Sequence, residues 1–199
     1  MTGCNDIIEY WFGSATENLQ VMAEQSSLWW KKDPEIDTHI KDQFELYLFK
    51  LINGELDGWR GEPHGYLAMM ILADQFSRNM YRDTANSFAT DVLAVSLSLE
   101  GIENKKDIDL RLVERIFFYM PLMHAESLDM QDKALRLFEK IVDLASDEEK
   151  KSFQANLDYS KQHRDIIFRF KRFPHRNRIL DRQSTEEEIE FLKQPGSSF

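Results

Sequence analysis

The residues best equipped for chemistry lie close together near the C-terminus. His163 to Arg182 reads HRDIIFRFKRFPHRNRILDR, with seven Lys or Arg against two Asp. That stretch is +5 in a chain of formal charge −10, which leaves −15 on the remainder. Arginine carries a planar fork of donors suited to bidentate recognition of carboxylate or phosphate. Phenylalanines alternate with the arginines, so some guanidinium groups lie beside core positions and need partners there. Asp74 continues the apolar helical face of Leu67, Met70 and Ile71 and precedes Arg78 by four residues, the spacing of a helical ion pair. Glu126 follows Pro121 at an expected helix break, where a polar group is often placed for a purpose. Gln75, Asn79 and His124 extend the polar set.

Two readings of this set stand side by side. In one, the groups form a satisfied polar network that locks the tail onto earlier helices, since buried charges are tolerated when paired and hydrogen-bonded. In the other, the network also walls a pocket or groove for a small anion or an acidic peptide end. Its candidate ligand-binding residues are Asp74, Arg78, Asn79, His124, Glu126, Arg169, Arg172, His175, Arg176 and Asn177. The first function expected is therefore a helical binding protein. An alternative is an enzyme acting on an anionic small molecule, with His124 or His175 as general acid/base and Asp74 or Glu126 orienting it. A purely structural scaffold for another protein is the third.

Other chemistries find no motif. There is no HExxH, no CxxC and no pair of histidines four apart, so no metal or cofactor is expected. His124 and Glu126 are two residues apart and do not share a helix face. Gly58, Gly61 and Gly101 make neither a phosphate-binding GxGxxG nor a P-loop, and no GxSxG occurs. Trp29, Trp30 and Trp59 read as packing residues. Cys4 is the single cysteine, which rules out an intrachain disulfide. It reads as a bystander near a mobile end.

The elements that must position these residues are helical. The chain has 199 residues, 42% hydrophobic and 30% charged, a globular composition. Its length predicts a single domain, 1–199, with the segment 171–199 packing back on the helices. The acidic balance opposes binding to nucleic acid or anionic membranes. The opening MTGCNDIIEYWFG lacks a basic region, and the apolar run Tyr66 to Ala73 falls far short of the roughly 18 residues of a membrane span. A cytoplasmic location is expected.

Asp33 as N-cap and Pro34 at the first helical position start a helix that Asn53-Gly54 stops. A second helix carries Leu67 to Asp74. Thr84 is expected to cap a third, with Phe88, Val92, Val95 and Leu99 inward and Gly101 at its end. A fourth runs from Asp107 or Asp109 to Met120, where Pro121 should break or kink it. Ser127 to Ala145 forms another. Ser146-Asp147-Glu148-Glu149 reads as a capping box opening a helix through Phe170. Ser184-Thr185 starts a short last helix, stopped by Pro195-Gly196. Short helices are expected over Asp6–Phe12 and Leu19–Trp30. About eight helices with short connections favour stacked antiparallel hairpins.

Several blocks together resemble a family. Asp74-Gln75-Phe76-Ser77-Arg78-Asn79 is followed by Phe88 and Asp91, then by Tyr119 through Glu126, then by Arg169 through Asn177, then by Ser184, Thr185 and Glu187. Trp11-Phe12-Gly13 and Trp29-Trp30 match its opening. The whole is similar to an uncharacterised bacterial family, domain of unknown function 924. RFPHRN is the most specific element, and the likeness covers nearly the whole chain. It implies an all-α fold of tetratricopeptide-like hairpins in a right-handed α-α superhelix. Such arrays commonly bind partners on a concave face, and no activity comes with the likeness. Ser77 stands where the family more often has proline, which should leave the helix straighter. Asp181 stands where it often has glycine before Arg182, which should alter that turn.

Overall fold

The computed structural model describes residues 3–198, and among them the regular elements are helical, with no strand. In chain order they are α1 (Cys4–Phe12), α2 (Asn18–Trp30), α3 (Pro34–Ile52), α4 (Pro63–Met70), a π-helical stretch (Ile71–Phe76), α5 (Ser77–Met80), α6 (Asp91–Glu103), α7 (Leu112–His124), α8 (Leu128–Leu144), α9 (Lys150–Phe170) and α10 (Glu186–Phe191). Short 3-10 turns cover Asp57–Gly61, Ala85–Phe88 and Pro174–Arg176. No helix among the described residues is long and apolar enough to cross a membrane.

The helix ends follow their capping chemistry. The Asp33 side chain accepts from the Glu35 N–H at 3.0 Å, with Pro34 next to it. Glu149 reaches back to the Ser146 N–H at 2.9 Å, and Thr185 and Glu188 satisfy each other's backbone N–H groups. Each such cap contributes about 1 kcal/mol. Short turns join α7 to α8 and α8 to α9, and α8 packs along both neighbours. The main core gathers around an aromatic hub in which Trp11 meets Phe76 and Phe117 edge-on, with centroids 5.4 and 5.5 Å apart. Ile166, Ile167 and Phe173 form a second, separate cluster with Leu128, Phe170 and Phe191. The C-terminal segment rests on this small cluster.

Three local expectations are corrected. The helix expected from Thr84 begins at Asp91, because Thr84 heads only a 3-10 turn. Its phase shifts accordingly: Ala94, Leu97, Ser98 and Gly101 face inward, while Val92 is 84% exposed. Gly101 does not end this helix but lies inside it, where a β-carbon would come within 2.5 Å of Phe118 Cζ. Pro121 neither breaks nor ends α7, which continues to His124. The proline costs α7 the one intrahelical bond that its missing N–H would have donated. Before Ser77 the helix widens into the π stretch, which the apolar spacing does not distinguish from an α-helix. Two packing expectations also change. Trp59 is buried, whereas Trp30 is 57% exposed, lying over the outside of Phe117. Cys4 is buried in the core rather than loose, and burial raises its thiol pKa.

Candidate functional site

Asp74 sits in the middle of the π stretch, fully buried. A π turn adds a residue to the helical repeat and occurs mostly where a side chain must be re-aimed, often at functional sites. Here it aims a carboxylate at the last residue of α7. His124 Nδ1 lies 2.8 Å from Asp74 Oδ1 and 3.0 Å from Oδ2. Arg78 Nη1 pairs with Asp74 Oδ1 at 2.9 Å, the i,i+4 pair expected from spacing, and Gln75 Nε2 donates to Oδ2. Burial opposes ionisation of Asp74, but Arg78 and His124 hold its carboxyl far below the usual range. The ionised carboxylate only accepts, so the His124 Nδ1 carries the proton it shares. Burial, with Arg78 and Arg176 nearby, lowers the His124 pKa against the pull of Asp74. At neutral pH the ring is uncharged, with Nε2 bare. Its side chain retains 15% exposure.

The RFPHRN segment closes over this pair. Arg176 donates from Nη2 to the His124 carbonyl at 3.0 Å and pairs through Nη1 with Asp91 Oδ2 at 3.2 Å. Its guanidinium lies between two rings, 4.6 Å from the centroids of both Phe88 and Phe173. Burial, reinforced by Arg78, pushes its pKa down to about 10. Asp91 also meets Arg78: Nη2 and Oδ1 are 2.9 Å apart, yet neither atom has a hydrogen bond of proper alignment. Arg176 Nε is likewise buried without a hydrogen-bond acceptor. The His163 ring stands 6.0 Å from His124 and 5.6 Å from Phe173, and the His175 ring is 5.6 Å from Phe173. Burial lowers the His163 pKa to about 3 and the His175 pKa to about 4.

The ten candidate residues therefore separate. Asp74, Arg78, His124 and Arg176 converge, with His175 on the same loop. Glu126, Arg172 and Asn177 form a staple instead. Glu126 accepts from the Phe173 N–H at 2.8 Å and from both Arg182 terminal nitrogens, at 2.6 and 2.9 Å. Arg172 makes a bidentate pair with Glu188 at 2.6 and 2.7 Å, and Asn177 joins Ser184, Glu188 and Arg182. Arg169 pairs with exposed Glu187 farther out along the tail. Asn79 points the other way, to Asp37 at 2.8 Å, beside Arg82. The basic stretch had looked short of anions. Five of its arginines find carboxylates elsewhere: Arg164 on Asp132, Arg169 on Glu187, Arg172 on Glu188, Arg176 on Asp91 and Arg182 on Glu126.

Asp91 and Phe88 are central to the site, and chemistry-based reading of the sequence passed them over. The available signal was an aspartate in the first turn of a helix, hidden by placing that helix start at Thr84. Two surface cavities of about 430 and 450 Å³ lie elsewhere, along Asp132, Arg136, Lys161 and Arg164, and along Pro34, Thr38 and His39. Among the described residues no three His, Cys, Asp or Glu are grouped to hold a metal ion.

The model of a bacterial protein family of unknown function, DUF924, matches residues 7–196. The chain belongs to this family. A solved structure described as that of a protein of unknown function, ATU0120 from Agrobacterium tumefaciens, is similar to it: 36% identity over 96% of each chain, with a TM-score of 0.81. No curated protein matches. Asp181 holds the left-handed φ of +51°, a conformation that suits the glycine the likeness leads one to expect there. From this turn Arg182 reaches Glu126.

Proposed function

We propose that this DUF924 chain is a binding protein for a small anionic ligand, held where Asp74, Arg78, His124 and Arg176 converge. The observation that supports it is the concentration of unused hydrogen-bonding capacity in one buried place. Arg176 Nε has no acceptor, and the Arg78–Asp91 contact is misaligned. Buried polar atoms are nearly always satisfied in folded proteins, so a group of exceptions beside a partly exposed histidine calls for a guest. A carboxylate or phosphate oxygen, from a metabolite or a peptide end, supplies the acceptors. The fold that goes with this reading is one domain of tetratricopeptide-like stacked hairpins, supported by the short turns around α8. A cytoplasmic location belongs to the same proposal, and the acidic balance speaks against nucleic acid.

Thermal unfolding against a panel of carboxylates and phosphates tests it. A ligand at 100 times its Kd adds about 2.7 kcal/mol to the folded state, roughly 5–10 °C for a domain of this size. The rise should vanish in His124→Gln and persist in Arg169→Ala. A flat panel, or a rise unchanged by His124→Gln, rejects the reading.

One observation favours a second reading. The Asp74 carboxylate fixes the His124 tautomer with Nε2 unprotonated, the arrangement of a general base. Turnover of an anionic ester, amide or phosphate whose rate falls as a histidine is protonated, and which Asp74→Asn abolishes, would establish an enzyme.

A further inference from the structure

Asp91 occupies an unusual position. Its carboxylate bridges the guanidinium groups of Arg78 and Arg176, both of which lie over the same Phe88 ring. It stands in the first turn of α6, where free backbone N–H groups and the helix dipole favour negative charge. The bridge is a poor one. The contact to Arg176 is 3.2 Å, long for a charge-assisted bond. The contact to Arg78 lacks hydrogen-bond alignment, and Arg176, only 6% exposed, keeps its Nε without an acceptor. Asp74 adds a second carboxylate on the far side of Arg78. Burial and that neighbouring charge raise the Asp91 pKa in spite of Arg78. A side chain held this loosely between a buried and a part-buried cation resembles a stand-in for a better-fitting anion.

We infer that the space between Arg78 and Arg176 at the start of α6 is an oxyanion site, and that Asp91 is an internal plug which a bound phosphate group displaces. This rests on the reading of the cluster as a ligand site and names its ligand-contacting half. An oxyanion with three or four oxygens can align with both arginines, take up the Arg176 Nε–H and still face the α6 N-terminus. The two oxygens of Asp91, tethered to α6, do not. Phe88 and Phe173, on either side of Arg176, hold the guanidinium plane fixed for that purpose. The plug also explains why a site built from arginines is electrically balanced here: two aspartates face two arginines, and the neighbouring histidines are neutral.

The probe is inorganic phosphate, with acetate in parallel, and the readout is binding by calorimetry to the wild-type chain and to Asp91→Asn. Removing the charge while keeping the shape should tighten phosphate binding at least tenfold. Asp91→Glu, which restores a carboxylate, should bind as weakly as wild type. Asp91→Asn combined with Arg176→Gln should lose the gain. Equal affinity in wild type and Asp91→Asn overturns the inference, as does a gain that survives Arg176→Gln. If Asp91→Asn is too unstable for calorimetry, its melting point in phosphate is compared with that in chloride at equal ionic strength. A phosphate-specific recovery of several degrees supports the plug, and equal melting in both salts rejects it. The two proposals fail separately. A wild-type chain that binds no anion counts against the proposed function, whereas the Asp91→Asn series decides the plug by itself.

Discussion

Asp74 gathers a histidine, an arginine and an amide around one buried carboxylate. Removing one member of a buried charged pair leaves the other uncompensated and costs about 3–5 kcal/mol. Asp74→Asn should therefore lower the melting midpoint by more than about 6 °C. Arg169→Ala, which loses an exposed partner, should stay within about 0.5 kcal/mol of wild type. Calorimetry of the two variants side by side checks both. If the two melt alike, the cluster is far less coupled than its geometry indicates. Of these contacts the sequence revealed only the one that spacing can reveal. Asp74 and Arg78 are four apart on one helix, so their pairing was legible. Asp74 and His124 are fifty apart, and nothing in either neighbourhood says that they touch. Asn79 shows the converse error. It shares the Asp74 helix, but the widened π repeat and the following turn send it to Asp37 on the other side.

At the scale of elements, capping residues were the most readable signals, because a cap is a local bargain between one side chain and the next turn. Asp33-Pro34 and Thr185 each stand at a helix start, as read; of the box expected at Ser146 only the Glu149 half forms, and α9 begins later, at Lys150. Departures occur where tertiary packing overrides local preference. Gly101 lies inside α6 as a packing residue rather than a stop, since only a hydrogen fits there against Phe118. Pro121 stays helical within a stretch buried in the core on both sides of it, Tyr119 and Met120 before and Leu122 and Met123 after. The π stretch left no sequence mark at all, since the same apolar spacing suits an α-helix. The C-terminal strap, from Arg172 to Phe191, carries its own prediction. It is fixed chiefly by polar contacts, Arg172–Glu188 and Arg182–Glu126, over a small apolar cluster detached from the main core. Segments with few buried apolar contacts open at lower free energy than the core. Glu188→Gln weakens the Arg172 fork and the Thr185 cap together. Hydrogen exchange should then quicken at residues 173–191 by tenfold or more while α7 and α8 keep wild-type protection. Uniform acceleration across all helices would mean that strap and core unfold as one unit.

For the whole molecule the decisive fact is how charge is distributed. The chain is −10 overall, yet the late stretch 163–182 is net positive. The fold uses that segregation to stitch: arginines from the late stretch pair with Asp91, Glu126 and Asp132, which come from three earlier parts of the chain. The same stitching gathers cations around buried imidazoles, and this gives the protein a characteristic acid response. Burial holds the folded-state pKa values of His163 at about 3 and His175 at about 4, and His124 shifts the same way. An unfolded histidine titrates near 6.5. The folded values lie below the unfolded ones, so these groups leave stability intact above pH 6.5 and erode it as pH falls. Between about pH 6 and pH 4 the unfolded chain binds protons that the folded chain refuses, and stability declines by roughly 1.4 kcal/mol per pH unit for each such histidine. The buried carboxylates act in a lower window. Glu114 and Glu188, each held at about 2 by arginine or histidine partners, contribute fully above their unfolded values and fail only below about pH 4.5. Urea unfolding at pH 7, 6 and 5 should accordingly show a loss that begins well above the carboxylate range. His163→Asn should make that decline shallower by about one histidine's share. A wild-type curve level from pH 7 to pH 5 would show that the three imidazoles take up their protons without leaving the folded state. The arginines around them would then be too well neutralised by Asp74 and Asp91 to oppose a further positive charge.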